Sequence, residues 1–160
     1  MDSTATLGLI GFLAACFAAA STGAFFKPGA WYEGLNKPAW RPPNWLFPPA
    51  WAVLYVMMAV AAWLVWREAG FRGAPMGLLL WCVQLALNAA WSWIFFGMKR
   101  MDLAFAELAV LWLAILATLL AFAMVSATAA WLMVPYLAWV TFAGVLNLTM
   151  WRLNRDRVPA

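Results

Sequence analysis

The sequence predicts an all-α integral membrane protein, a bundle of five transmembrane helices forming one domain over residues 1–160. Three observations lead there. Of 160 residues, 68% are hydrophobic and only 10% charged, with a mean hydropathy of +0.84. A water-soluble domain needs far more polar surface than that, and a disordered chain more still. The apolar residues gather in five continuous stretches, each long enough to cross a bilayer, which takes about 20 helical residues. Backbone polar groups in hydrocarbon must be satisfied within their own segment, so long runs read as helices, whereas a barrel needs short alternating ones.

The spans fall near Thr6–Phe25, Trp45–Trp66, Ala74–Phe96, Asp102–Val125 and Ala130–Trp151. The first follows Met1-Asp2-Ser3, which lacks the positive charge of a signal peptide. It reads as a retained helix, although Ala18-Ala19-Ala20 imitates a cleavage site. The one long connection, Phe26–Asn44, carries Pro28, Pro38, Pro42 and Pro43, and Pro48 and Pro49 open the second span. Proline fixes φ and lowers the entropy lost on ordering. With Trp31, Tyr32, Trp40 and Trp45 interleaved, the segment reads as a packed lid rather than a flexible Gly/Ser connector.

The second span presents Trp51, Tyr55 and Met58 on one stripe. The third carries Trp81, Gln84, Asn88, Trp91 and Phe95 three or four residues apart, hence on one face. In the fourth, Asp102 reads as an N-cap and Glu107 as a snorkelling or paired interfacial carboxylate. The fifth aligns Tyr136, Trp139, Ala143 and Asn147. A carboxamide in hydrocarbon is costly unless hydrogen-bonded, so Gln84, Asn88 and Asn147 should face the interior. At a rise of about 1.5 Å per residue, Asn88 and Trp51 lie roughly 9–12 Å below the lid end, and Trp139 nearer the midplane. These placements imply a pocket in the lid half of the bundle, walled by indoles and dotted with amides. Core packing and interhelical hydrogen bonding are the competing roles for Trp51, Trp91, Trp139 and the amides. Trp63, Trp66, Trp131 and Trp151 read as an interfacial aromatic belt. Gly11 with Ala15, and Ala86 with Ala90, have the small-residue spacing of close helix contacts or dimers.

Five spans put the termini on opposite sides. The lid, the loop after the third span and the C-terminal tail hold eight Lys/Arg, against Arg67 and Arg72 on the other side. The positive-inside rule then places the lid and C-terminus in the cytoplasm and the N-terminus outside. There is no histidine, which excludes imidazole metal ligands and Ser-His or Cys-His nucleophiles. Cys16 and Cys82 lie inside apolar runs, so no metal site or disulfide framework is expected, nor a nucleic-acid partner.

The run Trp31-Tyr32-Glu33-Gly34-Leu35-Asn36-Lys37-Pro38-Ala39-Trp40-Arg41-Pro42-Pro43-Asn44-Trp45 resembles the first long loop of the translocator protein family, also called tryptophan-rich sensory protein, TspO or peripheral-type benzodiazepine receptor. The likeness continues through Trp51 and Leu54-Tyr55, resumes at Asn88, Trp91 and Ile94-Phe95-Phe96-Gly97-Met98-Lys99-Arg100-Met101, and again at Val134-Pro135-Tyr136-Leu137-Ala138-Trp139. It closes at Leu146-Asn147 and Trp151-Arg152. The resemblance implies a TspO-like five-helix fold, commonly a homodimer, that binds protoporphyrin IX, isoquinoline- or benzodiazepine-type drugs and sterols. By the same resemblance the pocket residues are Trp31, Tyr32, Pro42, Trp51, Asn88, Trp91, Trp139, Ala143 and Asn147. Trp51 and Trp139 match the tryptophans of members that degrade porphyrin in light. Two departures stand out: Trp93 replaces a family proline, and Leu148 and Thr149 replace tyrosines of the animal sterol motif. A reversed sterol pattern, Lys27…Tyr32…Leu35, is present but weak, so sterol binding is not assumed.

The residues suit the implied ligand. Indoles offer π-faces to a planar macrocycle, and Lys27, Lys37, Arg41, Lys99 and Arg100 offer cations to its carboxylates. Without histidine a metal-free porphyrin is favoured over haem, and no cofactor is required. The expected function is a membrane receptor or sensor for porphyrins, linked to their regulation or transport. A light- and oxygen-dependent porphyrin-degrading enzyme and a structural scaffold are the alternatives.

Overall fold

The computed structural model of the protein describes residues 2–157. Helix α1, Ser3–Phe25, starts where the Asp2 carboxylate accepts the Ala5 N–H at 2.7 Å. Within the lid a single helical turn, α2, covers Ala30–Glu33. A 3₁₀ turn, Asn44–Leu46, then leads into α3, Phe47–Gly73, whose opening prolines have no N–H to leave unsatisfied. Helix α4, Pro75–Ser92, continues into a wide π turn, Trp93–Gly97. Helix α5 is Met101–Ala123 and α6 is Ala127–Leu153. Five of these helices, all but α2, are long and apolar enough to span a membrane, as the hydropathy pattern requires. The protein is a multi-pass integral membrane protein.

The boundaries differ from those read off hydropathy for physical reasons. Trp45 belongs to the 3₁₀ turn, not to α3. Helix α3 runs seven residues past Trp66, because Arg67 and Glu68 end the apolar run without ending the helix. At Trp93 the chain widens into the π turn, with Met98 N–H reaching Trp93 C=O at 2.9 Å, so a wide turn stands where a proline was missing. Asp102 is not the N-cap of α5. Arg100 holds that position, and Asp102 takes its guanidinium at 2.9 and 2.7 Å from within the first turn.

The spanning helices contact one another in the cyclic order α1, α3, α6, α5, α4. The ring is solid at one end and hollow at the other. At the far end, opposite the lid, α3 presents the fully buried Met58, Ala59, Ala61, Ala62 and Val65. These alanines let α3 lie close against its neighbours, and Trp81 donates its indole N–H to Met58 C=O at 3.1 Å. Trp63, read as an interfacial residue, is instead buried: its N–H donates to Ala5 C=O at 2.8 Å, and Arg67 covers its ring at 4.6 Å. A backbone acceptor on α1 draws the ring inward. Towards the lid no comparable stack of small side chains among the described residues fills the centre.

Candidate functional site

The hollow end is a cavity of about 880 Å³, towards the upper end of the 300–1,000 Å³ of small-molecule sites. One wall comes from α3 and α6. The Trp51 and Trp139 rings meet edge to face with centroids 6.3 Å apart, and Trp51 also contacts Tyr55 at 5.6 Å and Tyr136 at 6.2 Å. The opposite wall is Trp91, stacked on Phe95 at 4.8 Å and edge-on to Phe96 at 5.8 Å. Spacings of three and four residues on α4 and α6 put these groups inward, as their sequence period requires.

Four polar side chains from three helices join in a buried chain. Tyr55 Oη donates to Asn88 Oδ1 at 2.6 Å, and Asn88 Nδ2 donates to Tyr136 Oη at 2.7 Å. Tyr136 Oη donates to Gln84 Oε1 at 2.8 Å. Nearer the lid, Trp91 Nε1 donates to Asn147 Oδ1 at 3.2 Å, while Asn147 Nδ2 donates to Met101 C=O at 2.9 Å. The amides therefore serve one another across helices. The indole N–H groups of Trp51 and Trp139 have no protein acceptor among the described residues, although both rings line the cavity. The arrangement is an apolar, π-rich slot with few polar groups left for a ligand.

The lid packs over the end of this slot. Leu35 is buried in a small cluster with Phe95, Met101, Ala104 and Met150. Tyr32 lines the cavity and touches Phe96 at 5.6 Å. Arg41 Nη1 donates to Tyr32 Oη at 3.2 Å and to Asn44 Oδ1 at 2.5 Å, so two cavity-lining residues hold its guanidinium at the rim. Lys37 sits over the Tyr32 ring at 4.8 Å and donates to the carbonyls of Glu33 and Leu35. Burial, then the neighbouring Arg41 charge, lowers its ammonium below the ordinary lysine range. Arg100 is engaged with Asp102, whose hydrogen bond raises the guanidinium above its ordinary value. Among the described basic residues at this end, Arg41 is the one hydrogen-bonded to side chains of the cavity lining, while Lys37 meets that lining through the face of Tyr32.

The TspO/MBR family model matches residues 12–152. The chain belongs to the TspO/MBR family. The tryptophan-rich sensory protein of Cereibacter sphaeroides is 48% identical over 149 residues, which are 93% of this chain and 92% of that one. Protein CrtK of Rhodobacter capsulatus is 46% identical over 149 residues, 92% and 93% of the two chains. The human translocator protein is 45% identical over 126 residues, 78% of this chain and 75% of its own.

In this TspO/MBR chain seven of the nine expected pocket residues line the cavity: Tyr32, Trp51, Asn88, Trp91, Trp139, Ala143 and Asn147. Trp31 and Pro42 do not. The Trp31 ring packs edge-on against Phe95 at 6.0 Å, as part of the small cluster beneath the lid rather than of the cavity lining. Glu107 is a further correction, since it neither pairs nor snorkels. Both its oxygens are covered by protein without a hydrogen-bond partner, and Arg100, about two turns earlier, is already taken by Asp102. Sequence reasoning missed the contribution of α1, where Leu13, Cys16, Phe17 and Ala20 line the cavity. That helix is apolar on every side, so no face stands out. It also missed Asn154, which binds the lid to the end of α6; one asparagine beyond a span gives no signal of its own.

Proposed function

We propose that this protein is a membrane receptor that binds protoporphyrin IX and similar planar hydrophobic molecules inside the bundle, in the service of tetrapyrrole sensing or movement. The observation that carries this reading is the slot itself: indoles from α3, α4 and α6 around about 880 Å³, with Arg41 held at its rim. Offset and edge contacts between aromatic rings add about 0.5–1.5 kcal/mol each beyond burial. A charge-assisted hydrogen bond from Arg41 suits a propionate at the slot's edge. Smaller isoquinoline- or benzodiazepine-type compounds fit the same description. A homodimer with the lid in the cytoplasm belongs to this reading too.

Titrating protoporphyrin IX into the protein in lipid nanodiscs while following tryptophan emission tests it. Saturable quenching is expected, with affinity lowered about tenfold in Arg41→Ala. The dimethyl ester of the porphyrin, which lacks the carboxylates, should bind both proteins alike. No saturable quenching would overturn the proposal.

One observation favours a second reading, photochemical degradation of the bound porphyrin by dioxygen. The edge-to-face Trp51–Trp139 pair adjoins Tyr55 and Tyr136, giving an oxidisable cluster beside the slot. A bilin-like absorption band should then grow under light and fail to grow in Trp51→Phe at porphyrin concentrations that saturate the variant. Equal bleaching rates with and without protein would reject it.

A further inference from the structure

The lid and the side of the cavity differ sharply in how firmly they are closed. Asn154 is buried and clamps the lid backbone with a reciprocal pair of hydrogen bonds. Asn36 N–H donates to Asn154 Oδ1 at 2.8 Å, and Asn154 Nδ2 donates to Asn36 C=O at 2.8 Å. Arg157 adds a bond to the Gly34 carbonyl, and Leu35 plugs the cluster beneath. Opening the lid means breaking all of these together.

The side is different. Every cavity-lining residue contributed by α4, α5 or α6 is buried or half-buried. The exposed ones belong to α1, to α3 and to the two ends of the lid. Phe17 on α1 is 77% exposed and Val56 on α3 is 52% exposed, and both nevertheless line the cavity. Gly23, Pro48 and Ala52 extend the same gap towards the lid. The aromatic and hydrogen-bond contacts that tie α1 to α3 sit at the far end, where Trp63 reaches Ala5 and Phe12 meets Trp66 at 6.3 Å. Phe17 is eight residues from the lid end of α1, hence about 12 Å below it, and Val56 is at a similar depth on α3. A gap at that level, with an apolar rim, faces acyl chains rather than water.

We infer that ligands enter this cavity sideways from the bilayer, through the gap between α1 and α3, while the lid stays shut. The inference rests on the porphyrin-binding reading. A planar dicarboxylate dissolved in the membrane lies with its ring among the acyl chains and its carboxylates at the headgroups. Sliding in between Phe17 and Val56, it arrives with the ring level with Trp51 and the carboxylates level with Arg41. Phe17 is the movable flap, having lipid on one side and the slot on the other.

The test uses the full chain in nanodiscs, protoporphyrin IX as probe, and stopped-flow tryptophan quenching. In a Cys82→Ser background, Asn36→Cys with Asn154→Cys is tethered by a short bifunctional maleimide, fixing the lid to α6. Association within twofold of the untethered protein is expected. Val56→Trp narrows the side gap at a lipid-facing position, and both association and dissociation should slow tenfold or more together. A tenfold loss of association on tethering, with no effect of Val56→Trp, would overturn side entry and assign the route to the lid. Absence of saturable binding in the unmodified protein would instead refute the binding reading on which the route depends.

Discussion

Tyr136 has one hydroxyl and two obligations, accepting from Asn88 and donating to Gln84 where its side chain is fully buried. Tyr136→Phe keeps the ring that touches Trp51 but strands an amide N–H and an amide oxygen. A buried group left unsatisfied costs about 1–3 kcal/mol, so the variant should lose stability in that range in mixed-micelle unfolding. Tyr55→Phe should cost less, because it ends the chain rather than bridging it. The opposite sign is expected at Glu107, whose carboxyl oxygens are buried without partners. Glu107→Leu removes that penalty and should raise stability by about 1–3 kcal/mol; a fall would show that the carboxyl has a partner in the membrane-embedded protein. The two sites also differ in how well the sequence reveals them. Gln84, Asn88 and Tyr136 declare themselves by falling on inward faces. Glu107 looks like a surface carboxylate because spacing says nothing about which cations are already engaged.

At the scale of elements, hydropathy locates each span but not its ends, since a helix stops for backbone reasons. Helix α3 shows this at Gly70, where φ is 65° and ψ is −179° inside an otherwise helical run. Only glycine takes that conformation without strain, at a cost of about 1–3 kcal/mol for other residues. Beyond the local backbone and the two neighbouring residues nothing lies within 4 Å of where a Cβ would stand, so Gly70→Ala isolates the backbone effect. The variant should lose about that much stability, read by unfolding, without change in the cavity about four turns away. Nothing in the sequence distinguishes Gly70 from the exposed Gly11 or Gly23. The face of α4 was legible because its polar and aromatic residues repeat at helical spacing. The face of α1 was not, because leucine and alanine suit lipid and cavity equally.

For the whole molecule, composition and the lid motif sufficed for the class of fold, whereas the hollow needed coordinates. Whether indoles on three helices close on one another or on a void depends on how near the backbones approach, and here the small residues of α3 set that distance at the far end only. Orientation is a property of the same scale, and charge decides it. The lid end carries eight of the ten Lys/Arg, and cations next to an anionic cytoplasmic leaflet gain on the order of 1 kcal/mol each. Acidic residues contribute little to this bias, so the pairing of Arg100 with Asp102 does not cancel it. The lid should therefore face the cytoplasm. In a Cys82→Ser background, Met124→Cys places a thiol at the far end, at a position 87% exposed, and Lys37→Cys places one in the lid. A membrane-impermeant maleimide added to intact cells should label Met124→Cys at once and Lys37→Cys only after permeabilisation. The reverse pattern would mean that insertion ignores a fourfold excess of cations, and that Arg41 and the rim of the cavity face the outer leaflet.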